Sequence, residues 1–148
     1  MAFVSDVFAR RIVWRGVWAS LPTDFVLDAL EQAIYDRRRD ALTNLVHHSD
    51  RGSQLLSMWY TDGGADAEIA PSVGSRGAFY DNAFAELEIG LFKTEVIRRR
   101  GPWRNLEAVE FATLAWVDWS IMRRLLKPIG YVTPAEDEAR YYDEAAVA

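Results

Sequence analysis

The chain has 148 residues, of which half are apolar and 26% are charged, with a net charge of −5 and no cysteine. This composition is typical of one folded domain, here residues 1–148, and it excludes a disordered chain, a disulfide framework and thiolate zinc sites. No apolar run is long enough for a membrane span or a secretory signal, so we expect a protein of the reducing cytoplasm without a membrane partner. The acidic balance also argues against a general nucleic-acid binder, which usually carries a basic surface.

The first predicted elements are two strands and a helix. Phe3 to Phe8 and Ile12 to Trp18 are rich in β-branched and aromatic residues, and we interpret them as an antiparallel hairpin. A helix follows, with Thr23 as its N-cap and Arg37 to Arg39 at its negative end. These three arginines could contact DNA, or they could be a solvated helix end.

The middle of the chain predicts two short strands on either side of a weaker helix. Leu45 to His48 is typical of a buried strand that stops at a polar turn. Gln54 to Ala67 has a weaker helical pattern, and Ile69 to Val73 is predicted as a short edge strand. Asp50 therefore follows the carboxyl end of a strand, where open α/β sheets place their sites.

A long helix is predicted after a glycine-containing loop. Gly74 to Tyr80 is the loop, and the helical pattern extends from Asn82 to about Arg100. Gly101-Pro102 then breaks the helix, because proline lacks the N–H that helical hydrogen bonding uses. Glu86 falls in the first turns and Lys93 lies two turns later, so both are expected on one face of the helix.

Two further helices are predicted near the end of the chain. Asn105 is a suitable N-cap for the first of them, from Leu106 to about Leu125. Its core side is predicted from residues at helical spacing, namely Val109, Thr113, Trp116, Val117 and Ile121. The sequence Thr133-Pro134-Ala135-Glu136 is a capping box, and it predicts a terminal helix through Tyr142.

Asp50 and Glu86 are the candidate metal ligands. One carboxylate at a strand end and one on a helix form a plausible clamp for a divalent metal in phosphoryl chemistry. The alternative for both is a capping role, since acidic residues are common at turns and helix starts. His47 and His48 are left out of the site, because neighbouring strand residues point to opposite faces and cannot easily serve one ion.

Several short motifs occur in a set order around these two carboxylates. They are His47-His48-Ser49-Asp50-Arg51-Gly52-Ser53-Gln54, Gly74-Ser75-Arg76-Gly77, Tyr80-Asp81-Asn82-Ala83, Ala85-Glu86 and Gly90-Leu91-Phe92-Lys93-Thr94-Glu95. In order and spacing, the chain resembles the catalytic core of bacterial insertion-sequence transposases of the retroviral-integrase type. The resemblance extends over nearly the whole chain, from Phe3 to Pro134.

The resemblance implies a fold and a metal site. The family has an RNase H-like mixed α/β fold, on which two Asp and one Glu hold two metal ions. Asp50 matches the second Asp and Glu86 matches the Glu, so both are expected to be catalytic and to bind Mg²⁺ or Mn²⁺. The first Asp has no counterpart. Asp6 could replace it, but the family commonly has a non-catalytic acidic residue in this hairpin, and a turn residue is the alternative.

The resemblance also implies two contacts with DNA. The family's loop that corresponds to Gly74 to Tyr80 lies beside the active site, so Arg76 is expected to contact phosphate. Lys93 matches a basic position next to DNA. The alternatives are an ordinary surface arginine and an ordinary exposed lysine.

The predicted element order, β, β, α, β, α, β, α, α, lacks the family's first strand, which the resemblance implies is central in the sheet. The flanking strands would then pair directly or need a partner, because each unpaired buried backbone group costs about 1–3 kcal/mol. We expect the C-terminal part of a transposase that is inactive by itself, with DNA, further copies or a full-length transposase as partners. Alternatives are a fragment that binds and inhibits full-length transposase, and a simple nuclease that uses Asp50, Glu86 and Asp6.

Overall fold

The computed structural model describes residues 2–17, 32, 35, 46–47, 70–71 and 76–147. The chain divides into two compact units, one formed by Met1–Ala19 with Ile89–Ala148 and one formed by Ser20–Glu88. The prediction of a mixed α/β protein is confirmed, since the described residues include a β-hairpin, two paired short strands and three long helices.

The first unit begins with an antiparallel hairpin, as predicted, although its strands end earlier than expected, with Val7 and Phe8 in the turn and the second strand ending at Gly16. Strand β1 (Ala2–Asp6) pairs antiparallel with β2 (Arg11–Gly16), with an irregularity in register between Val4 and Ser5. In β2 the side chains alternate, so that Ile12 and Trp14 are buried while Arg15 is exposed, as expected for a strand with one face on a core.

Asp6 has a structural role at the hairpin turn. Its Oδ1 atom accepts hydrogen bonds from the backbone N–H groups of Phe8, at 2.8 Å, and Ala9, at 3.2 Å. Acidic residues often hold turns in this way, by bonding to backbone groups two and three positions further along. Of the two interpretations of Asp6, the turn residue is the one that these contacts support.

Three long helices follow in the second half of the chain. Helix α1 (Arg76–Phe92) continues directly into a π-helical segment (Lys93–Arg98). Helix α2 is Leu106–Met122, a short 3₁₀ turn is Lys127–Ile129, and helix α3 is Pro134–Val147. Among the described helices, none is long and apolar enough to span a membrane.

The beginning of α1 corrects the predicted loop at Gly74 to Tyr80. Arg76 is the first residue of α1, so the part of that segment from Arg76 onward is helical. A single glycine, Gly77, costs a helix only about 1 kcal/mol relative to alanine. The residues that follow it do not break a helix, and therefore the glycine did not mark the boundary that the sequence pattern suggested.

The core of the first unit is formed where α1 and α2 pack against the hairpin. Its buried residues are Ile12, Phe92, Val96, Trp116 and Val117. The rings of Phe92 and Trp116 meet edge to face with their centroids 5.3 Å apart, and Phe3 contacts both rings. Such aromatic pairs contribute about 0.5–1.5 kcal/mol each beyond the burial of their area.

The predicted helix ends are formed by the residues that the sequence indicates. Asn105 caps α2 by accepting a hydrogen bond of 2.9 Å from the backbone N–H of Ala108. Thr133 and Glu136 form the capping box of α3, since the Thr133 hydroxyl accepts from the Glu136 N–H and the Glu136 carboxylate accepts from the Thr133 N–H. These bonds satisfy backbone donors that a helix start leaves unpaired. Helix α3 extends past the predicted end at Tyr142, to Val147.

The second unit contributes one described pair of strands. Strand β3 (Val46–His47) pairs parallel with β4 (Ala70–Pro71), so both short strands occur within their predicted ranges. Gln32 and Tyr35 are helical, as predicted, whereas the predicted helix at Gln54 to Ala67 lies outside the described residues.

The described strands form two separate two-stranded sheets, β1 with β2 and β3 with β4. Direct pairing between the strands that would flank a missing central strand stays a prediction. The RNase H-like arrangement and the single domain both stay predictions.

Candidate functional site

Glu86 is the one predicted metal ligand that the structure describes. It lies on α1 with an exposed side chain. Asp50 lies outside the described residues, so the pairing of these two carboxylates stays a prediction. Within residues 2–17, 76–147 and the few described residues between them, no group of three or more His, Asp or Glu side chains could hold a metal ion.

Of the two residues predicted to contact DNA, the structure describes the side chain of Lys93 but not that of Arg76. Lys93 is exposed at the first residue of the π-helical segment, seven positions after Glu86 on the continuous helix. Glu86 belongs to the second compact unit and Lys93 to the first, so the expected common face of the two side chains stays a prediction. Arg76 begins α1, but its side chain lies outside the described residues, so its contact with phosphate stays a prediction.

Gly90 lies in the last turn of α1, shortly before the π-helical segment that begins at Lys93. A Cβ atom added at Gly90 would meet no other atom within 4 Å. The packing of this helix therefore does not require glycine here. The missing side chain leaves bare backbone on the exposed side of the helix, which is a place where a ligand can approach closely.

Glu95, the last residue of the motif that begins at Gly90, is engaged inside the protein. Its Oε2 atom accepts a hydrogen bond of 2.6 Å from the indole N–H of Trp116, and its Oε1 atom forms an ion pair with the guanidinium group of Arg124. The Arg124 guanidinium also lies 4.8 Å from the centre of the Trp119 ring and 5.7 Å from that of Trp116. Glu95 thus joins the π-helical segment to the end of α2.

Sequence reasoning did not identify this arrangement of Glu95, Trp116 and Arg124. Glu95 and Arg124 are 29 positions apart, and no local pattern links them. The available signal was Glu95 at the end of a recognisable motif and Arg124 in an arginine pair. Since each oxygen of this carboxylate already accepts a hydrogen bond from inside the protein, the contacts of Glu95 support a structural role.

A group of exposed arginines surrounds the connection between α1 and α2. The group consists of Arg98, Arg99, Arg100 and Arg104. The connection itself is held tightly, because the Trp103 indole N–H donates a hydrogen bond of 3.1 Å to the carbonyl of Ile97. Positive side chains near the C-terminal end of a helix are favoured by its dipole, so this group has a structural explanation.

Comparison with known proteins connects these motifs to one group of enzymes. The chain is 49% identical over 145 residues to a protein from Mycobacterium tuberculosis that is named as a transposase for insertion sequence element IS986/IS6110. The aligned region is 96% of this chain and 52% of the relative. The chain belongs to the insertion-sequence transposases.

Other relatives carry the same kind of name. A transposase for insertion sequence element IS629 from Shigella sonnei is 51% identical over 142 residues, which are 96% of this chain and 47% of that protein. A more distant relative, a transposase for insertion sequence IS3A from Escherichia coli, is 29% identical over 97 residues, which are 66% of this chain and 33% of that protein. The chain thus spans about half the length of the two more similar transposases. No family profile and no solved structure matches it.

Proposed function

We propose that this chain is the part of an insertion-sequence transposase that cleaves DNA and transfers the cleaved strand, on an RNase H-like fold. The observation that carries the proposal is its 49% identity over 145 residues to a protein named as a transposase. In the proposed reaction, water opens a phosphodiester bond at the end of the element. The 3′ hydroxyl that is freed then attacks a second phosphodiester bond in the target DNA, which joins the two DNA molecules and releases a new 3′ hydroxyl.

Asp50 and Glu86 are the proposed metal ligands. Their carboxylate oxygens are the ligands that Mg²⁺ and Mn²⁺ prefer in proteins. A bound ion would supply charge stabilisation at the phosphoryl oxygens and an activated water molecule. Glu86 suits this role because its exposed side chain can reach a ligand outside the protein.

Lys93 and Arg76 are the proposed contacts with DNA phosphates. Lys93 is exposed at the start of the π-helical segment, and the bare backbone at Gly90, one turn before it, would let a DNA strand lie against the helix. A positive side chain near a metal-binding carboxylate would hold the phosphate in line for attack, and such positioning supplies much of the catalysis in phosphoryl transfer.

A chimera tests the chemistry directly. In it, this chain replaces the aligned 142 residues of the Shigella transposase, and transposition of a marked element is counted in cells. Glu86→Gln and Asp50→Asn in the chimera should each abolish transposition. Glu144→Gln, which changes an exposed acid on α3, should leave the frequency unchanged.

The alternative function, inhibition of a full-length transposase, has its own measurement. The chain would be expressed beside the intact Shigella enzyme, and it should then lower transposition and copurify with that enzyme. Full activity of the chimera with Glu86→Gln would remove the catalytic proposal, whereas unchanged transposition beside the separate chain would remove the inhibitory one.

A further inference from the structure

The π-helical segment is packed on its inner side and open on its outer side. Phe92, just before the segment, and Val96 within it are fully buried in the core of the first unit, whereas Lys93 and Thr94 between them are exposed. Glu95 lies two positions after Lys93, and two positions correspond to about half a turn around a helix axis. The carboxylate of Glu95 and the ammonium group of Lys93 therefore leave the helix on nearly opposite sides.

The inner side is fixed to α2 through Glu95, whose two carboxylate oxygens have different partners. One accepts the hydrogen bond of 2.6 Å from the Trp116 indole N–H, and the other forms the ion pair with Arg124. Arg124 is itself held, because its guanidinium lies over the Trp119 ring and its side chain is only 16% exposed. A partly buried ion pair is screened less by salt than a surface pair. We call Glu95, Trp116 and Arg124 the Glu95 bridge.

The direction of Lys93 depends on the helical hydrogen bonding around it. Lys93 is the first residue of the π-helical segment and Arg98 is the last. Because a π-helical turn holds more residues than an α-helical turn, a return of all these residues to α-helical bonding would rotate one end of the segment relative to the other. The Glu95 bridge opposes this rotation, since it holds the middle of the segment on α2.

We propose that the Glu95 bridge positions Lys93 for its contact with a DNA phosphate, so that Glu95, Trp116 and Arg124 act on the reaction only through Lys93. This positioning role rests on the phosphate contact proposed above for Lys93. Short π-helical turns within α-helices are frequent at functional sites. A lysine side chain is long and flexible, so a fixed base limits the space that its ammonium group can reach. Small displacements of a positioning group have large effects on reaction rates.

All members of the bridge and Lys93 belong to the first unit, so the direction of residue 93 can be measured without DNA. Lys93→Cys and Arg140→Cys place two nitroxide labels on the purified full chain, which has no cysteine of its own. Pulsed electron paramagnetic resonance then gives the distribution of distances between the labels. This distribution should be narrow, and it should broaden or shift when Glu95→Ala or Arg124→Met is added.

A matched control separates positioning from stability. Asn105→Ala removes the N-cap of α2 and destabilises the protein without touching the bridge, so it should leave the label distances unchanged. Arg124→Met removes the ion pair alone and keeps the Trp116 hydrogen bond, which provides a second variant if Glu95→Ala does not fold. Circular dichroism at the working temperature verifies that each variant is folded.

The second measurement follows DNA binding of the chimera by fluorescence anisotropy at several salt concentrations. Lys93→Ala should reduce the slope of log affinity against log salt concentration by about 0.9, the value for one phosphate contact. Glu95→Ala and Arg124→Met should reduce it similarly and should add no further loss to Lys93→Ala. The two bridge variants change the net charge in opposite directions, so a loss that they share cannot come from overall charge. Asn105→Ala should keep the full slope.

Two results would overturn the positioning role. One is an unchanged distribution of label distances in both bridge variants, since residue 93 would then keep its direction without the bridge. The other is a salt slope that falls in Lys93→Ala but in neither bridge variant. An unchanged slope in Lys93→Ala itself would overturn the phosphate contact of the proposed function, and with it the part of the bridge in DNA binding, while the label distances would still show whether the bridge directs residue 93.

Discussion

The indole N–H of Trp116 donates a hydrogen bond of 2.6 Å to a carboxylate oxygen of Glu95. This bond joins the π-helical segment to α2, and the second carboxylate oxygen of Glu95 is held by Arg124. The family motif that ends at Glu95 therefore contains both residues with a structural role and an exposed residue that is free to contact a ligand. Phe92 and Glu95 hold the fold together, whereas Lys93 is left exposed.

Removal of the Glu95 carboxylate should destabilise the first unit. Glu95→Ala leaves the Trp116 N–H and the Arg124 guanidinium without their acceptor, and we expect the free energy of unfolding to fall by roughly 1–3 kcal/mol. Urea denaturation measures this. Glu144→Ala, at an exposed acid on α3, should change the free energy of unfolding by less than about 0.5 kcal/mol. In a double-mutant cycle of Glu95→Ala with Arg124→Ala, a coupling energy near zero would contradict the ion pair.

The two phenylalanines Phe92 and Phe8 should differ sharply in their contribution to stability. Phe92 is fully buried, whereas Phe8 is 73% exposed at the hairpin turn. We expect Phe92→Ala to lower the free energy of unfolding by about 3–5 kcal/mol, because it removes a large side chain and leaves a cavity. Phe8→Ala loses its edge contact with Tyr141 and should cost less than about 1.5 kcal/mol. Equal effects in thermal melts would mean that the core is not centred on Phe92.

Glycine-to-alanine changes should separate stability from DNA contact. Gly90→Ala meets no neighbouring atom, so it should stabilise the protein by about 0.5–1 kcal/mol, since alanine is the better helix former. If DNA lies against this backbone, the same change should weaken binding of the chimera to DNA, as measured by fluorescence anisotropy. Binding that stays at full strength would argue against the proposed contact.

Gly101→Ala should destabilise the protein, in contrast to Gly90→Ala. A Cβ atom at Gly101 would lie 3.0 Å from the carbonyl oxygen of Ile97, the same oxygen that accepts the Trp103 hydrogen bond. We expect this variant to melt at a lower temperature than the unaltered chain. A rise in the melting temperature would show that the connection between α1 and α2 is looser than these distances indicate.

The capping box of α3 should give a pH-dependent contribution to stability. The pKa of Glu136 lies below its ordinary value of 4.5. The main cause is the hydrogen bond that its carboxylate accepts from the backbone N–H of Thr133, and the second is the hydrogen bond from the Thr133 hydroxyl. A carboxyl group whose pKa is lower in the folded state stabilises that state above its unfolded pKa, and the contribution is lost as the pH falls through the folded pKa.

The measurement compares melting temperatures of the unaltered chain and Glu136→Gln. Glutamine keeps the shape of the side chain but not its charge. The unaltered chain should therefore melt higher at neutral pH, and the two curves should converge as the solution is acidified below about pH 4. A difference that is constant with pH would show that the charge of Glu136 does not contribute.

The parts of this fold that the sequence predicted are those whose signals are local. The hairpin, the Asn105 cap and the Thr133 capping box each depend on a few adjacent residues, and all three are confirmed. The predicted beginning of α1 was wrong, because glycine residues in the first turn of a helix give the same local sequence signal as a loop. The contact between Glu95 and Arg124 depends on tertiary packing, which no spacing in the sequence specifies. For the candidate metal site, Glu86 lies on a helix as predicted, while its pairing with Asp50 stays a prediction.

The π-helical segment at Lys93–Arg98 has a consequence for insertions and deletions in this region. A π-helical turn holds more residues than an α-helical turn, so one residue can be removed from the segment by returning it to α-helical hydrogen bonding. Such a deletion would leave Arg98 to Arg100 facing close to their present direction, because the wide turn already accommodates the extra residue. The same deletion in an ordinary α-helical stretch would turn all the residues beyond it by about 100° around the helix axis. A single-codon deletion is therefore tolerated better in this segment than in the α-helical turns beside it.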